Sequence, residues 1–142
     1  MTELVNCNGA NSAIVSALSC TIPVSVLRAA PFSLAWGTNV FAKVIATNSK
    51  GNSTESNFGF GAIITTTPDA PINVLEDISK RTATTLGLTW TQAAFNGGAV
   101  IVDYRVTFAE TGGSYSIMAS NITTSSYTAT GLTSGITYLF RI

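Results

Sequence analysis

The chain has 142 residues, of which 46% are hydrophobic and 10% are charged, against roughly 25% charged residues in an average soluble protein. Seven basic and seven acidic side chains give zero net charge, so no basic patch favours nucleic acid as a partner. No apolar run of about 20 residues predicts a membrane span, and the opening stretch MTELVNCNGANS lacks the regions of a signal peptide. Abundant Thr, Ser, Asn and Gly indicate β-structure with polar turns.

The two cysteines, Cys7 and Cys20, are the first residues with distinctive chemistry. Two thiols can stay free, bind a metal or form a disulfide, but two Cys without His cannot complete a tetrahedral zinc site. We therefore favour a disulfide, which would close a loop of about 14 residues and stabilise by about 3 kcal/mol in the loop-entropy model. A disulfide predicts an oxidising compartment, so we expect the protein to be extracellular or at the cell surface.

Two triplets match the acceptor pattern for N-linked glycans, NST at Asn52 and NIT at Asn121. Both are expected in loops, where a glycan can attach. Such triplets also arise often by chance in a chain this rich in Asn, Ser and Thr. Asn52 and Asn121 are therefore candidate glycosylation sites of an extracellular protein.

The second half of the chain predicts short strands separated by turns. TTLGLTW, the strictly alternating GAVIVDYRVTF, SYSIMAS, SSYTATGL and ITYLFRI each read as a strand, and no helical pattern intervenes. The strand GAVIVDYRVTF is expected to be long and half-buried. Such a series is typical of a β-sandwich. The buried faces are predicted to carry Leu86, Leu88, Trp90, Val100, Val102, Tyr104, Val106, Phe108, Tyr138, Phe140 and Ile142.

The ordered segments PDAPINV, LGLTW, DYRVTF and SYTATGLTSGITYLFRI resemble a fibronectin type III domain over residues 68–142. The resemblance implies an all-β, immunoglobulin-like sandwich with Trp90 buried on strand B and Tyr104 on strand C. It places Leu132 and Tyr138 at the corner between strands E and F, where the hydroxyl of Tyr138 should bond to nearby backbone. Strand G of that family has no counterpart in residues 68–142.

An upstream stretch, GTNVFAKVIATNSKGNSTES, resembles strand F and the following F–G loop of the same family. Aligning Gly37 with Gly135 gives an offset of 98 residues (135 − 37 = 98), close to the roughly 100 residues of one such sandwich. Residues 1–67 are therefore expected to be the C-terminal part of a fibronectin III-like domain, with strands E, F and G. Residues 68–142 are expected to be a second domain that lacks strand G, so the chain reads as a window onto a longer array.

Within that first partial domain, each segment has an expected role. SCTIPVSVL is expected to form strand E through Ile22, Val24 and Val26, and FGFGAIITT to form strand G. The outgoing strand F is expected to face inward with Val40, Ala42, Val44 and Ala46. Residues 10–18 fit either a short helical turn or a strand edge.

Catalytic chemistry has no support in the sequence. The chain contains no His, its acidic residues are scattered, and no Ser lies in a G-x-S-x-G elbow. Gly97–Gly98 and Gly112–Gly113 read as turns rather than phosphate-binding loops. We therefore predict no enzyme, no catalytic residue, no cofactor and no metal.

Two functions compete at this point. The favoured one is a structural or interaction module of an extracellular tandem-repeat surface or filament protein, and the alternative is a ligand- or glycan-binding accessory module. Four aromatic residues have no assigned place in a core and are either misplaced core or interface candidates. The expected partner is a protein, with a second copy in a head-to-tail filament as one candidate; nucleic acid and membrane insertion are not expected. The four aromatics are Trp36, Phe41, Phe58 and Phe60.

Overall fold

The computed structural model of the protein describes residues 1–59 and 61–142. The chain divides into two compact units, Met1–Thr66 and Thr67–Ile142, called here the first and second units. No helix among the described residues is long and apolar enough to cross a membrane.

The first unit begins with two short helices, α1 (Ser12–Ala17) and α2 (Val24–Arg28). Helix α1 starts where the side chain of Asn11 accepts a hydrogen bond from the backbone N–H of Ala13, which is the usual role of Asn at an N-cap. Of the two possibilities left open for residues 10–18, the structure therefore shows the helical turn.

The strand E expected through Ile22, Val24 and Val26 is wrong, because Val24–Arg28 is helical. Pro23 occupies the N-cap with φ −59°, and proline has no N–H to leave unsatisfied at a helix start. The alternating apolar residues that suggested a strand thus fall across the start of a single helical turn.

Residues 37–59 and 61–64 form the described part of an antiparallel hairpin, whose tip consists of β1 (Thr47–Asn48) and β2 (Gly51–Asn52). Next to the tip, the carbonyls that accept are two residues apart on the outgoing arm, whereas the N–H groups that donate are three residues apart on the returning arm. The pairing register therefore shifts by one residue at each hydrogen bond, as it does at a β-bulge. Two serines of the returning arm replace missing backbone acceptors. Ser56 Oγ accepts from the N–H of Val44 and Ser53 Oγ from that of Ala46, each at 3.0 Å. The pairs are Ala46–Ser53, Val44–Ser56 and Ala42–Gly59, with N···O distances of 2.8, 3.0 and 2.9 Å.

The second unit is a sandwich of two three-stranded antiparallel sheets. One sheet contains the first, second and fifth strands of this unit, in the order β3–β4–β7, and the other contains the third, fourth and sixth, in the order β6–β5–β8. The predicted all-β, immunoglobulin-like sandwich is confirmed. The elements are β3 (Ile72–Asp77), a 3-10 helix (Ile78–Lys80), β4 (Leu86–Thr91), β5 (Tyr104–Glu110), β6 (Ser116–Ile122), β7 (Ser126–Ala129) and β8 (Tyr138–Arg141).

The core of this sandwich joins the two sheets through Leu88 and Trp90 of β4 and Val106 of β5. The indole of Trp90 meets the ring of Tyr104 edge to face, with centroids 5.3 Å apart. Partly buried apolar residues from β4 to β8 and the terminus surround this cluster: Leu86, Tyr104, Met118, Ile122, Tyr127, Phe140 and Ile142.

The long strand predicted over GAVIVDYRVTF is wrong in its first half, since β5 begins at Tyr104. Val100 and Val102, predicted to be buried, are exposed. Strand β6 ends at Ile122, which pairs with Tyr104. No residue of β6 therefore lies opposite the residues that precede Tyr104. A period-two sequence pattern therefore continues beyond the point where pairing stops.

Candidate interaction surface

No group of three or more His, Cys, Asp or Glu among the described residues could hold a metal ion. In that same part of the chain, the fully buried side chains are all apolar. One of these buried side chains, Trp90, carries a polar group, and its Nε1–H has no hydrogen-bond partner among the described residues. The polar and charged side chains of the described residues therefore lie at least partly on the surface.

Of the four residues expected in the sandwich core of the second unit, two are buried and two are half-buried. Trp90 is 4% exposed, Leu132 is buried, and Tyr104 and Tyr138 are half-buried. The backbone N–H of Thr133 donates to the hydroxyl of Tyr138 at 3.1 Å, which links the start of β8 to the loop before it. The phenol thus bonds to backbone while its ring packs beside aromatic neighbours on β5 and β8.

Two of the interface candidates come together on the hairpin of the first unit. Phe41 is 59% exposed and Phe58 is 64% exposed, and their rings meet edge to face with centroids 6.2 Å apart. The Nζ of Lys43 lies 4.4 Å from the centre of the Phe58 ring and 2.8 Å from a carboxylate oxygen of Glu55. We call Phe41, Lys43, Glu55 and Phe58 the aromatic patch.

The ammonium of Lys43 links the two chemistries of this patch. It donates a hydrogen bond to Glu55, which lowers the pKa of that carboxyl, and it also lies over the ring of Phe58. The sequence indicated the two phenylalanines as interface candidates but not the ion pair, because Lys43 and Glu55 lie twelve residues apart along the chain.

The other two interface candidates lie outside the aromatic patch. Trp36 is half-buried, and the guanidinium of Arg28 at the end of α2 lies 4.0 Å from the centre of its ring. Phe60 lies outside the described residues. Trp36 is therefore a partner for a cation rather than a free surface.

The patch is exposed because the first unit buries little. Ile64 is its one buried side chain among the described residues. Val44, expected to face inward, is exposed. The slipped ladder contributes, because Phe58 lies between the pairing residues Ser56 and Gly59 of the returning arm.

Cys7 and Cys20 are joined by a disulfide bond, with Cα atoms 5.3 Å apart and helix α1 between them. The carboxylate of Glu3 accepts hydrogen bonds from three successive backbone N–H groups, at Val5, Asn6 and Cys7. These bonds, led by the one from Asn6, lower the pKa of Glu3. Sequence reasoning missed the role of Glu3, whose carboxylate fixes the turn that begins the disulfide loop.

The two acceptor asparagines lie in strands rather than in the loops expected for them. Asn52 ends β2 and is exposed, and its Oδ1 accepts from Thr47 Oγ1 at 2.8 Å. Asn121 lies in β6, is exposed and has φ +58°. The expectation failed because a polar Asn-x-Ser/Thr triplet can also begin within the last residues of a strand.

An ion pair missed by sequence reasoning closes the end of β3. The guanidinium of Arg81 donates two hydrogen bonds to Glu76, which lowers the pKa of that carboxyl. Next to it, Asp77 accepts from the N–H and hydroxyl of Ser79 and caps the 3-10 helix. These bonds are local, since they join residues two and five positions apart along the chain.

Comparison with known proteins places the second unit more narrowly. The model of the fibronectin type III domain matches residues 70–142. Domains A168–A170 from titin match with a TM-score of 0.57 and 23% identity, over 75% of this chain and 35% of that chain. No curated protein matches significantly.

Two further solved structures show weaker likeness. The twitchin kinase region from C. elegans is 28% identical over 53% of this chain and 13% of that chain, with a TM-score of 0.47. The FN1–FN3 domains of chicken CNTN1 are 16% identical over 77% of this chain and 37% of that chain, with a TM-score of 0.45. The chain thus spans well under half the length of each of these proteins.

Proposed function

The chain belongs to the fibronectin type III family, and from that premise we propose that it is a non-enzymatic structural and interaction module of an extracellular tandem-repeat protein. The general role of a structural or interaction module follows from membership of the family and from the sandwich fold. The observation that carries the interaction role is the aromatic patch. Two large aromatic side chains that are more than half exposed and lie side by side mark a contact surface on a small module.

The tandem arrangement is the second part of the proposal. The 98-residue offset between Gly37 and Gly135 (135 − 37 = 98) supports it, and so does the antiparallel pairing of the two arms of the hairpin, which are our candidates for strands F and G. A two-stranded ribbon is marginally stable by itself, and this unit buries only Ile64 among its described side chains. We therefore propose that residues 1–67 are the C-terminal part of a preceding fibronectin III-like sandwich.

The extracellular setting is the third part, and the Cys7–Cys20 bond supports it because disulfides persist in oxidising compartments. The test is alkylation of freshly isolated protein from its source without reduction, followed by mass spectrometry. We expect neither cysteine to be alkylated. Two alkylated thiols would refute the extracellular proposal.

The interaction role is tested by sedimentation equilibrium of the 142-residue chain over a range of concentrations. Because the net charge is zero, copies repel one another little, and a second copy is the protein partner to try first. We expect association that Phe58→Ala weakens and that Ile78→Ala, a change at an exposed apolar residue of the second unit, leaves unchanged. A strict monomer would rule out self-association through the patch.

The alternative of a glycan-binding module has less support. Sugar rings stack on flat aromatic faces, whereas Phe41 and Phe58 stand at 76° to each other and form no common platform. The cation that covers Phe58 further occupies the face that a sugar would need.

A further inference from the structure

The two acceptor triplets lie in different structural settings, although the sequence treats them alike. We propose that Asn52 is an N-linked glycosylation site that remains accessible in the folded protein, while folding withdraws Asn121 from the modifying enzyme. The inference rests on the proposed extracellular role, since the modifying enzyme acts in the secretory pathway.

At Asn52 the structure leaves the reacting atom available. The hydroxyl of Thr47 donates to Asn52 Oδ1 at 2.8 Å, which fixes the amide through its oxygen. The Nδ2 atom, to which a glycan attaches, has no hydrogen-bond partner among the described residues. Every described residue from 41 to 59 is exposed, including Thr54, the hydroxyl residue that the acceptor pattern requires.

Opening the chain at Asn52 also disturbs little. Strands β1 and β2 form only two residue pairs, and none of their residues is buried. A transferase must draw the acceptor triplet into its own site, and here that displaces exposed backbone pairs rather than core side chains.

At Asn121 the same displacement would reach the core. The next residue, Ile122, packs against the cluster of Leu88, Trp90 and Val106, and it pairs with Tyr104 of β5. Pulling Asn121 and Ile122 out of β6 would expose apolar surface that folding had buried. Folding therefore closes this triplet, although the side chain of Asn121 is exposed.

The transfer step balances with a lipid-pyrophosphate-linked oligosaccharide as the donor. Asn52 Nδ2 forms a bond to the anomeric carbon of the first sugar, and the bond from that carbon to the pyrophosphate oxygen breaks. The lipid pyrophosphate leaves with the electron pair, and Nδ2 loses one proton to the transferase. No oxidant or reductant is needed.

The test is secretion of the 142-residue chain from eukaryotic cells behind a cleavable signal. Occupancy at each asparagine is read by peptide mass spectrometry and by the gel shift on endoglycosidase treatment. We expect occupancy at Asn52 to be at least several-fold higher than at Asn121. Asn52→Gln and Thr54→Ala should each remove the Asn52 glycan, whereas Asn57→Gln, an exposed hairpin asparagine outside any triplet, should change nothing.

The outcomes separate this inference from the proposed function. Secreted protein that carries the Cys7–Cys20 disulfide but no glycan at Asn52 would overturn the inference alone. Equal occupancy at both sites, or occupancy at Asn121 only, would also overturn it. Secreted protein with two free thiols and no glycan would overturn the extracellular proposal as well.

Discussion

Replacing Val106 by Ala should destabilise the second unit more than any matched change at an exposed valine. Val106 is 0% exposed and packs with Leu88 and Trp90 between the two sheets. Loss of two methyl groups forfeits about 1.6 kcal/mol at about 0.8 kcal/mol per buried methylene. The cavity left behind adds a further penalty, so we expect a total loss of about 2–3 kcal/mol.

Val102→Ala is the control, because the sequence assigns Val102 and Val106 to the same face while the structure leaves Val102 82% exposed. We expect Val102→Ala to change the free energy of unfolding by less than about 0.5 kcal/mol. The assay is urea unfolding of the whole chain, followed by Trp90 fluorescence in a Trp36→Phe background. Equal losses for the two variants would show that the strand starts before Tyr104 and that the structural argument is wrong.

Three further predictions concern polar and covalent links. Tyr138→Phe should cost about 1 kcal/mol of unfolding free energy, because it removes one hydrogen bond to exposed backbone while the ring stays; a loss near zero in the same urea assay would contradict this. Changing both Cys7 and Cys20 to Ser should remove about 3 kcal/mol in the loop-entropy model, measured as faster proteolysis of the first unit, and unchanged proteolysis would refute it. Arg81→Gln should raise the pKa of Glu76, followed by NMR titration. Since that pKa is lowered in the folded state, the ion pair stabilises above the ordinary Glu value of 4.5 and is lost as the pH falls through the lowered pKa; an unchanged pKa would contradict the assignment.

The sandwich could be predicted because most of its strands alternate apolar and polar residues. This pattern predicts a strand correctly where the strand is paired with a neighbour and one of its faces is buried. In β4 the predicted inward residues Leu88 and Trp90 are buried, and in β8 Tyr138 and Phe140 are less exposed than Leu139. Local sequence suffices there because each strand has a partner along its length.

The errors arose where a partner decides the outcome. Val102 continues the alternation of β5, but β6 has already ended opposite Tyr104. Val24 and Val26 also alternate, yet they lie in one turn of helix that follows Pro23. In both places the pattern is real, and tertiary pairing determines whether it becomes a strand.

The candidate site was only half predictable for a related reason. Phe41 and Phe58 are predictable as surface candidates because the sequence pattern assigns neither to a core position. The salt bridge between Lys43 and Glu55 depends on the slipped pairing of the hairpin, which no local pattern encodes. Sequence could identify the apolar members of the patch, but not the charged residues that the ladder brings beside them.

The contrast in burial between the two units gives the patch its meaning. The second unit buries Leu88 and Trp90 of β4 together with Val106 of β5 between its two sheets. The first unit has a comparable supply of apolar residues, but its hairpin leaves Phe41, Val44 and Phe58 exposed. Exposed apolar area of this kind favours association, and serine hydroxyls already complete part of the backbone pairing within the hairpin. The driving force for contact therefore comes from side chains on the face of the hairpin, which is why Phe58→Ala is the decisive substitution.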